Sequence, residues 1–140
     1  MNCVFCDVGN KELERVIRDN KNTFVVLSNP RLMSGHMLVM PKRHVEKLSE
    51  LSEEEREELF NQTIQLQEKV LETLAPGCDI SQHYRPFIPN SRFKVSHLHI
   101  HVRPRTLDDE LYQKVQSHEK DIFTDISEGD QVKYKKLFGN

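Results

Sequence analysis

Residues 97–102 read His-Leu-His-Ile-His-Val, placing three of the chain's seven histidines at strict two-residue spacing. On a β-strand successive side chains alternate between faces, so His97, His99 and His101 share one face while Leu98, Ile100 and Val102 share the other. One face suits a core and the other suits polar chemistry. Imidazole titrates near neutral pH and serves as nucleophile, as proton carrier and, when protonated, as phosphate contact. The pattern therefore points to phosphate chemistry, with a covalent phosphohistidine plausible. Residues two apart on a strand are separated by roughly 6.6 to 6.8 Å, so neighbouring rings can converge on one centre; the outer pair, roughly 13 Å apart at the backbone, cannot easily do so. That spacing disfavours one catalytic metal held by all three, because metal–nitrogen bonds of roughly 2.0 to 2.1 Å demand tighter convergence. Attack on phosphorus needs one unprotonated ring nitrogen and a hydrogen bond fixing the other, which favours the central His99 as nucleophile.

A second group of candidate ligands lies near the start, Cys3-Val4-Phe5-Cys6, where two cysteines at this spacing read as reduced thiols or a metal site rather than a disulfide framework. Cys78 reads as a small buried residue. Twenty Lys and Arg against 22 Asp and Glu give a formal charge of −2, without the basic field that nucleic-acid binding favours. Any anion site must be local. No run approaches the roughly 20 apolar residues of a membrane span, and the chain opens without a signal-peptide pattern, so a cytoplasmic protein is expected. A length of 140 residues suits a single domain, 1–140.

The elements that must position these residues are readable from periodicity. Residues 12–18 suggest a short helix, and Thr23-Phe-Val-Val-Leu27 a strand ending at the turn Ser28-Asn29-Pro30. Gly35-His36 opens a second strand, Met37-Leu38-Val39-Met40, which Pro41 closes before Lys42-Arg43-His44, so His36 and His44 flank one strand. Ser52 followed by Glu55 has the form of a capping box. Leu59, Phe60, Thr63, Ile64, Leu66, Val70, Leu71 and Leu74 then recur at helical spacing up to Pro76-Gly77. The acidic Glu53-Glu54-Glu55 complements that helix's dipole and is assigned a structural role. Residues 78–83 suggest a short strand, 84–93 a loop with two prolines, 108–123 a helix, and the polar segment through Lys136 a helical or frayed end.

The histidine stretch resembles the signature of the histidine-triad (HIT) superfamily of nucleotide hydrolases and transferases, His-φ-His-φ-His-φ-φ with φ apolar. The resemblance extends to Cys3-Val4-Phe5-Cys6, to 35–44 (Gly-His-Met-Leu-Val-Met-Pro-Lys-Arg-His), to the long helix and to Pro104-Arg105. It implies an α+β fold with a HIT-like antiparallel sheet, one long helix and a C-terminal helical segment, commonly dimeric. It further implies a nucleotide whose α-phosphate meets the triad: His99 attacks phosphorus to form a nucleotidyl-histidine, His101 contacts the phosphate and manages protons, and His36 completes the polar site. Members that begin with Cys-x-x-Cys often carry zinc, which here suggests Cys3, Cys6, His44 and His97 as a structural tetrahedral set.

The chain also departs from that pattern. Arg103 stands at the seventh, usually apolar position; it either meets further phosphate oxygens or is solvated. Phe93-Lys94 replaces a Gln followed by Ser or Thr, four residues before the first triad histidine. Arg85, Asn90, Ser91, Arg92, Lys94 and Ser96 could supply replacement polar contacts, or form a solvated basic loop. An acid that often binds ribose, eight residues before His36, is Ser28 here, with Asn29 adjacent.

The expected function is a nucleotidyl hydrolase or transferase acting at the α-phosphate of a dinucleoside polyphosphate or nucleoside phosphoramidate. Its partners are a nucleotide substrate and a second copy of the chain, with no membrane and no nucleic acid. The competing expectation is a nucleotide-binding or sensing module with little turnover.

Overall fold

The computed structural model describes residues 2–115 and 122–140. Five strands, β1 (Val16–Asp19), β2 (Thr23–Leu27), β3 (Met37–Pro41), β4 (Gly77–Gln82) and β5 (Ile100–Arg105), form one sheet of order β1-β2-β3-β5-β4, antiparallel throughout. Among the described residues four α-helices accompany it: α1 (Val8–Lys11), α2 (Glu53–Thr73), α3 (Glu110–Lys114) and α4 (Glu128–Phe138). This is an α+β fold with one long helix and a helical C-terminal segment.

Residue alternation divides the sheet into two working faces. Val25, Val39, Ile100 and Val102 point to one face and pack under Leu59, Leu66 and Val70 of α2. Val26, Leu38 and Met40 point to the other, where the N-terminal segment covers them with Cys3, Phe5 and Val8. His101 pairs with Leu38 in the β3–β5 register and so faces this second side.

Ser52 caps α2 by accepting from the Glu55 backbone N–H (3.2 Å), while the Glu55 carboxylate accepts from the Ser52 N–H (2.9 Å). The same carboxylate also takes two hydrogen bonds from Arg43, at 3.1 and 2.7 Å. Glu55 thus ties the helix start to the residue next to His44, and Arg43 holds its carboxyl down at about 2.

The structure refines four local expectations. Residues 12–18 are not a helix: a short 3-10 turn at Leu13–Arg15 leads into β1, because the chain there pairs along the exposed edge of β2. On α2 only part of the apolar series is buried; Phe60, Ile64, Leu71 and Leu74 are exposed. Helicity in 108–123 covers Glu110–Lys114, Val115 is its C-cap, and residues 116–121 lie outside the described residues. Cys78 is partly buried against the α2-side core.

Candidate functional site

His36, His83, His99, His101 and Arg103 converge on a cleft of about 1030 Å³. Backbone groups fix His36 and His99, and the His36 ring in turn fixes His101. The turn before β3 brings His36 in at Gly35, whose φ of 81° and position against Leu74 and Pro104 leave no room for a Cβ. His36 Nδ1 accepts from the Leu32 N–H at 3.1 Å, so the neutral ring carries its proton on Nε2 and donates to His101 Nδ1 at 2.9 Å. His101 then keeps its own proton on Nε2. Burial lowers both rings below the ordinary imidazole value, His36 to about 4 and His101 to about 2, with the charges of Arg103 and His99 adding to the effect.

His99 and His97 precede the first assigned residue of β5, yet both keep the expected side. His99 donates from Nδ1 to the His97 carbonyl at 2.7 Å, which leaves its Nε2 lone pair unprotonated; its ring centre lies 4.8 Å from that of His101. Burial again favours the neutral form. His97 is turned elsewhere. Its Nε2 donates to the Pro41 carbonyl at 2.8 Å, and its Nδ1 lies 3.5 Å from both Cys3 Sγ and Cys6 Sγ.

His44 Nδ1 lies 3.4 Å from Cys6 Sγ, and one ligand atom from each of Cys3, Cys6, His44 and His97 falls within 4.8 Å of the others. These four residues lie close enough to bind a metal ion. The Pro41 carbonyl orients the His97 ring as an outer-shell partner does in metal sites. Burial and then the neighbouring Cys3 thiol push the Cys6 thiol up to about 11, a preference that a cation would reverse because thiolate is the ligating form. None of the four lines the cleft.

The remaining sequence candidates divide by position. Ser28, Asn29, Ser91, Arg92, Lys94 and Arg103 line the cleft, as does Arg85. Ser96 is not among the lining residues; its hydroxyl accepts from Lys94 Nζ at 2.6 Å and its N–H donates to Asn90 Oδ1 at 2.9 Å. Phe93 stands 81% exposed at the rim. His83 escaped the sequence reading. It follows β4, whose register sets Ser81 against His101, and its ring centre lies 5.0 Å from that of His101. The available signal was its two-residue spacing from Ser81 on the strand that borders the triad.

A five-stranded antiparallel sheet carrying convergent histidines at one strand end, with a long helix behind it, defines an α+β protein of the histidine-triad class. Comparison with known proteins agrees: the HIT domain family model matches residues 9–108, and the chain belongs to this family. A HIT-like protein of Methanocaldococcus jannaschii is 34% identical over 109 residues, covering 74% of this chain and 78% of its own. An adenosine 5'-monophosphoramidase of Schizosaccharomyces pombe is 28% identical over 109 residues, 75% of each chain. The nitrilase and fragile histidine triad fusion protein of Caenorhabditis elegans is 29% identical over 125 residues, 80% of this chain, which spans only 26% of the fusion protein. Among solved structures, a Bacillus subtilis HIT family member superposes with a TM-score of 0.74 at 19% identity, over 98% of this chain and 94% of that one. A zinc-bound histidine triad protein of Mycobacterium smegmatis does so with a TM-score of 0.66 at 28% identity, over 79% and 80%.

Proposed function

We propose that the protein is a nucleotidyl hydrolase or transferase that works through a covalent nucleotidyl-histidine at His99. One observation carries this reading: the His97 carbonyl accepts a hydrogen bond from His99 Nδ1–H, leaving Nε2 as a lone pair in a cleft beside His101. Nε2 attacks the α-phosphorus, and the bond from phosphorus to the leaving oxygen or nitrogen breaks with its electron pair going to the leaving atom. Water or another acceptor then attacks phosphorus, loses a proton and restores neutral His99. His101 offers an Nε2–H donor to the phosphate, and the Leu32–His36–His101 chain fixes that tautomer. Ser28 and Asn29 follow β2 and line the cleft, and are assigned to the ribose hydroxyls. The adenosine 5'-monophosphoramidase among the relatives supports an adenosine nucleotide.

In this reading Cys3, Cys6, His44 and His97 hold a structural zinc ion. Tetrahedral zinc, with bonds of ~2.3 Å to sulfur and ~2.0 Å to nitrogen, keeps sulfur and nitrogen about 3.5 Å apart. The observed 3.4 to 3.5 Å contacts match that edge length. When bound, zinc supplies a tether between the N-terminus and the sheet. The exposed stripe of Phe60, Ile64 and Leu71 on α2 supports a second copy of the chain packed against this helix.

The test is intact-protein mass spectrometry after rapid quench with diadenosine tetraphosphate or adenosine 5'-phosphoramidate. A nucleotidyl adduct in the native protein that disappears in His99→Ala is expected. Tight nucleotide binding with no adduct and no turnover would replace this reading with a sensing module, a reading that the outward-facing Phe93 supports because it supplies no polar group to the leaving atom.

A further inference from the structure

The cleft has two chemically different ends. Sheet order β2-β3-β5-β4 puts Ser28, Asn29 and His36 on one side of the triad and His83 and Arg85 on the other. Asp7 and Glu12 line the N-terminal side, and each is already paired, with Lys11 at 2.9 Å and with Arg15 at 2.7 Å. The β4 side carries Arg85 and Arg103, with Arg92 and Lys94 on the loop above.

Arg103 is the least satisfied of these. Strand alternation points it to the cleft side with His101, while Val102 and Pro104 are buried behind. Asp79 faces it across the β4–β5 register, but the Asp79 Oδ2 receives Arg105 Nη1 at 2.6 Å. Arg103 has no ion pair among the described residues, and its buried Nε has no hydrogen-bond partner. A half-buried guanidinium with an idle donor and no paired carboxylate favours an anion as its partner. The neighbouring His36, His83 and His101 cannot supply negative charge, and burial drives all three toward the neutral form. Arg85 is exposed, next in reach beyond His83, and also lacks an ion pair among the described residues. At about 1030 Å³ the cleft exceeds what one nucleoside monophosphate needs, standing at the upper end of ordinary ligand sites.

We propose that Arg103, with His83 and Arg85, forms an anion subsite for the leaving group, which selects nucleotides whose α-phosphate is joined through oxygen to a further phosphate. This rests on the His99 reading above and narrows it. As His99 Nε2 bonds to the α-phosphorus, the bond to the bridging oxygen breaks; the electron pair stays on the departing phosphate, where the guanidinium meets the developing charge. A neutral amine leaving group gains nothing from that charge.

The experiment compares kcat/KM for diadenosine tetraphosphate and adenosine 5'-phosphoramidate in the native protein, Arg103→Met and Arg85→Ala, with calorimetric binding of inorganic tripolyphosphate to each. Native protein prefers the tetraphosphate. Arg103→Met loses about 10- to 100-fold on it, the worth of a hydrogen bond to a charged group, and far less on the phosphoramidate. Arg85→Ala, an exposed change that leaves the core untouched, shifts the ratio in the same direction by a smaller factor. Tripolyphosphate binding weakens in both variants. Equal losses on the two substrates, or unchanged tripolyphosphate binding, overturn the subsite while leaving His99 as nucleophile. Failure to form an adduct from either substrate overturns the His99 reading and this inference with it.

Discussion

Three histidines of one motif end in different environments because each ring has a different hydrogen-bond partner. His99 donates a hydrogen bond to the His97 carbonyl, His101 accepts from His36, and His97 donates to the Pro41 carbonyl. Spacing made the division legible, since rings roughly 13 Å apart at the backbone do not share a centre. What spacing could not show was His83, which reaches the site through β4 and is brought there by a pairing between distant segments. Nor could sequence proximity to the triad show the Lys94 and Asn90 contacts that engage Ser96. At this scale Gly35 offers a sharp test. An added Cβ would lie 2.8 Å from Leu74 Cδ2 and 3.1 Å from Pro104 Cγ, at a φ that side chains disfavour. Gly35→Ala should cost about 1 to 3 kcal/mol in urea unfolding and slow adduct formation by displacing His36. Native-like values for both would refute that account of the turn.

Among the elements, α2 was the most legible and β1 the least. Capping box, acidic first turn and apolar period all agree over Glu53–Thr73, so the helix is overdetermined. Residues 12–18 are mostly good helix formers, yet pairing with β2 overrode that local preference. Ser52→Ala should destabilise the protein by about 1 kcal/mol; no change in the denaturation midpoint would mean that Arg43 alone fixes Glu55. The α2 period also hid a distinction. Leu59, Leu66 and Val70 form the buried stripe, whereas Phe60, Ile64 and Leu71 lie about a third of a turn round the helix. Ile64→Glu is expected to halve the mass seen by light scattering without lowering the unfolding temperature of the monomeric unit. An unchanged mass would remove α2 as the contact between copies.

For the molecule as a whole, stability should depend on metal and on pH. A ligand at a thousandfold excess over its Kd contributes about 4 kcal/mol, so a strong chelator should lower Tm by roughly 10 to 15 °C for a chain of this size. Cys3→Ser should lower Tm similarly and remove the chelator's effect; a native protein indifferent to chelation would exclude a structural ion. The pH dependence has a definite sign. His36 is held at about 4, below the ordinary imidazole value, so between about pH 6.5 and 4 the unfolded chain binds more protons than the folded one. Stability is therefore full above that window and falls as pH drops through it. Glu55 and Asp109, both held at about 2, extend the loss to lower pH as they protonate. A Tm flat from pH 8 to 4.5 would contradict the neutral histidine chain.

His97 has every polar group of its ring and its carbonyl engaged: Nε2 with Pro41, Nδ1 beside two thiols, the carbonyl under His99. A substitution there would disturb tether, packing and nucleophile together, and its phenotype could not be assigned to any one of them. Genetic dissection belongs at His44, which touches Cys6 and the edge of the His97 ring but not the cleft. A His44 allele separates loss of the tether from loss of the reaction, whereas a His97 allele confounds them.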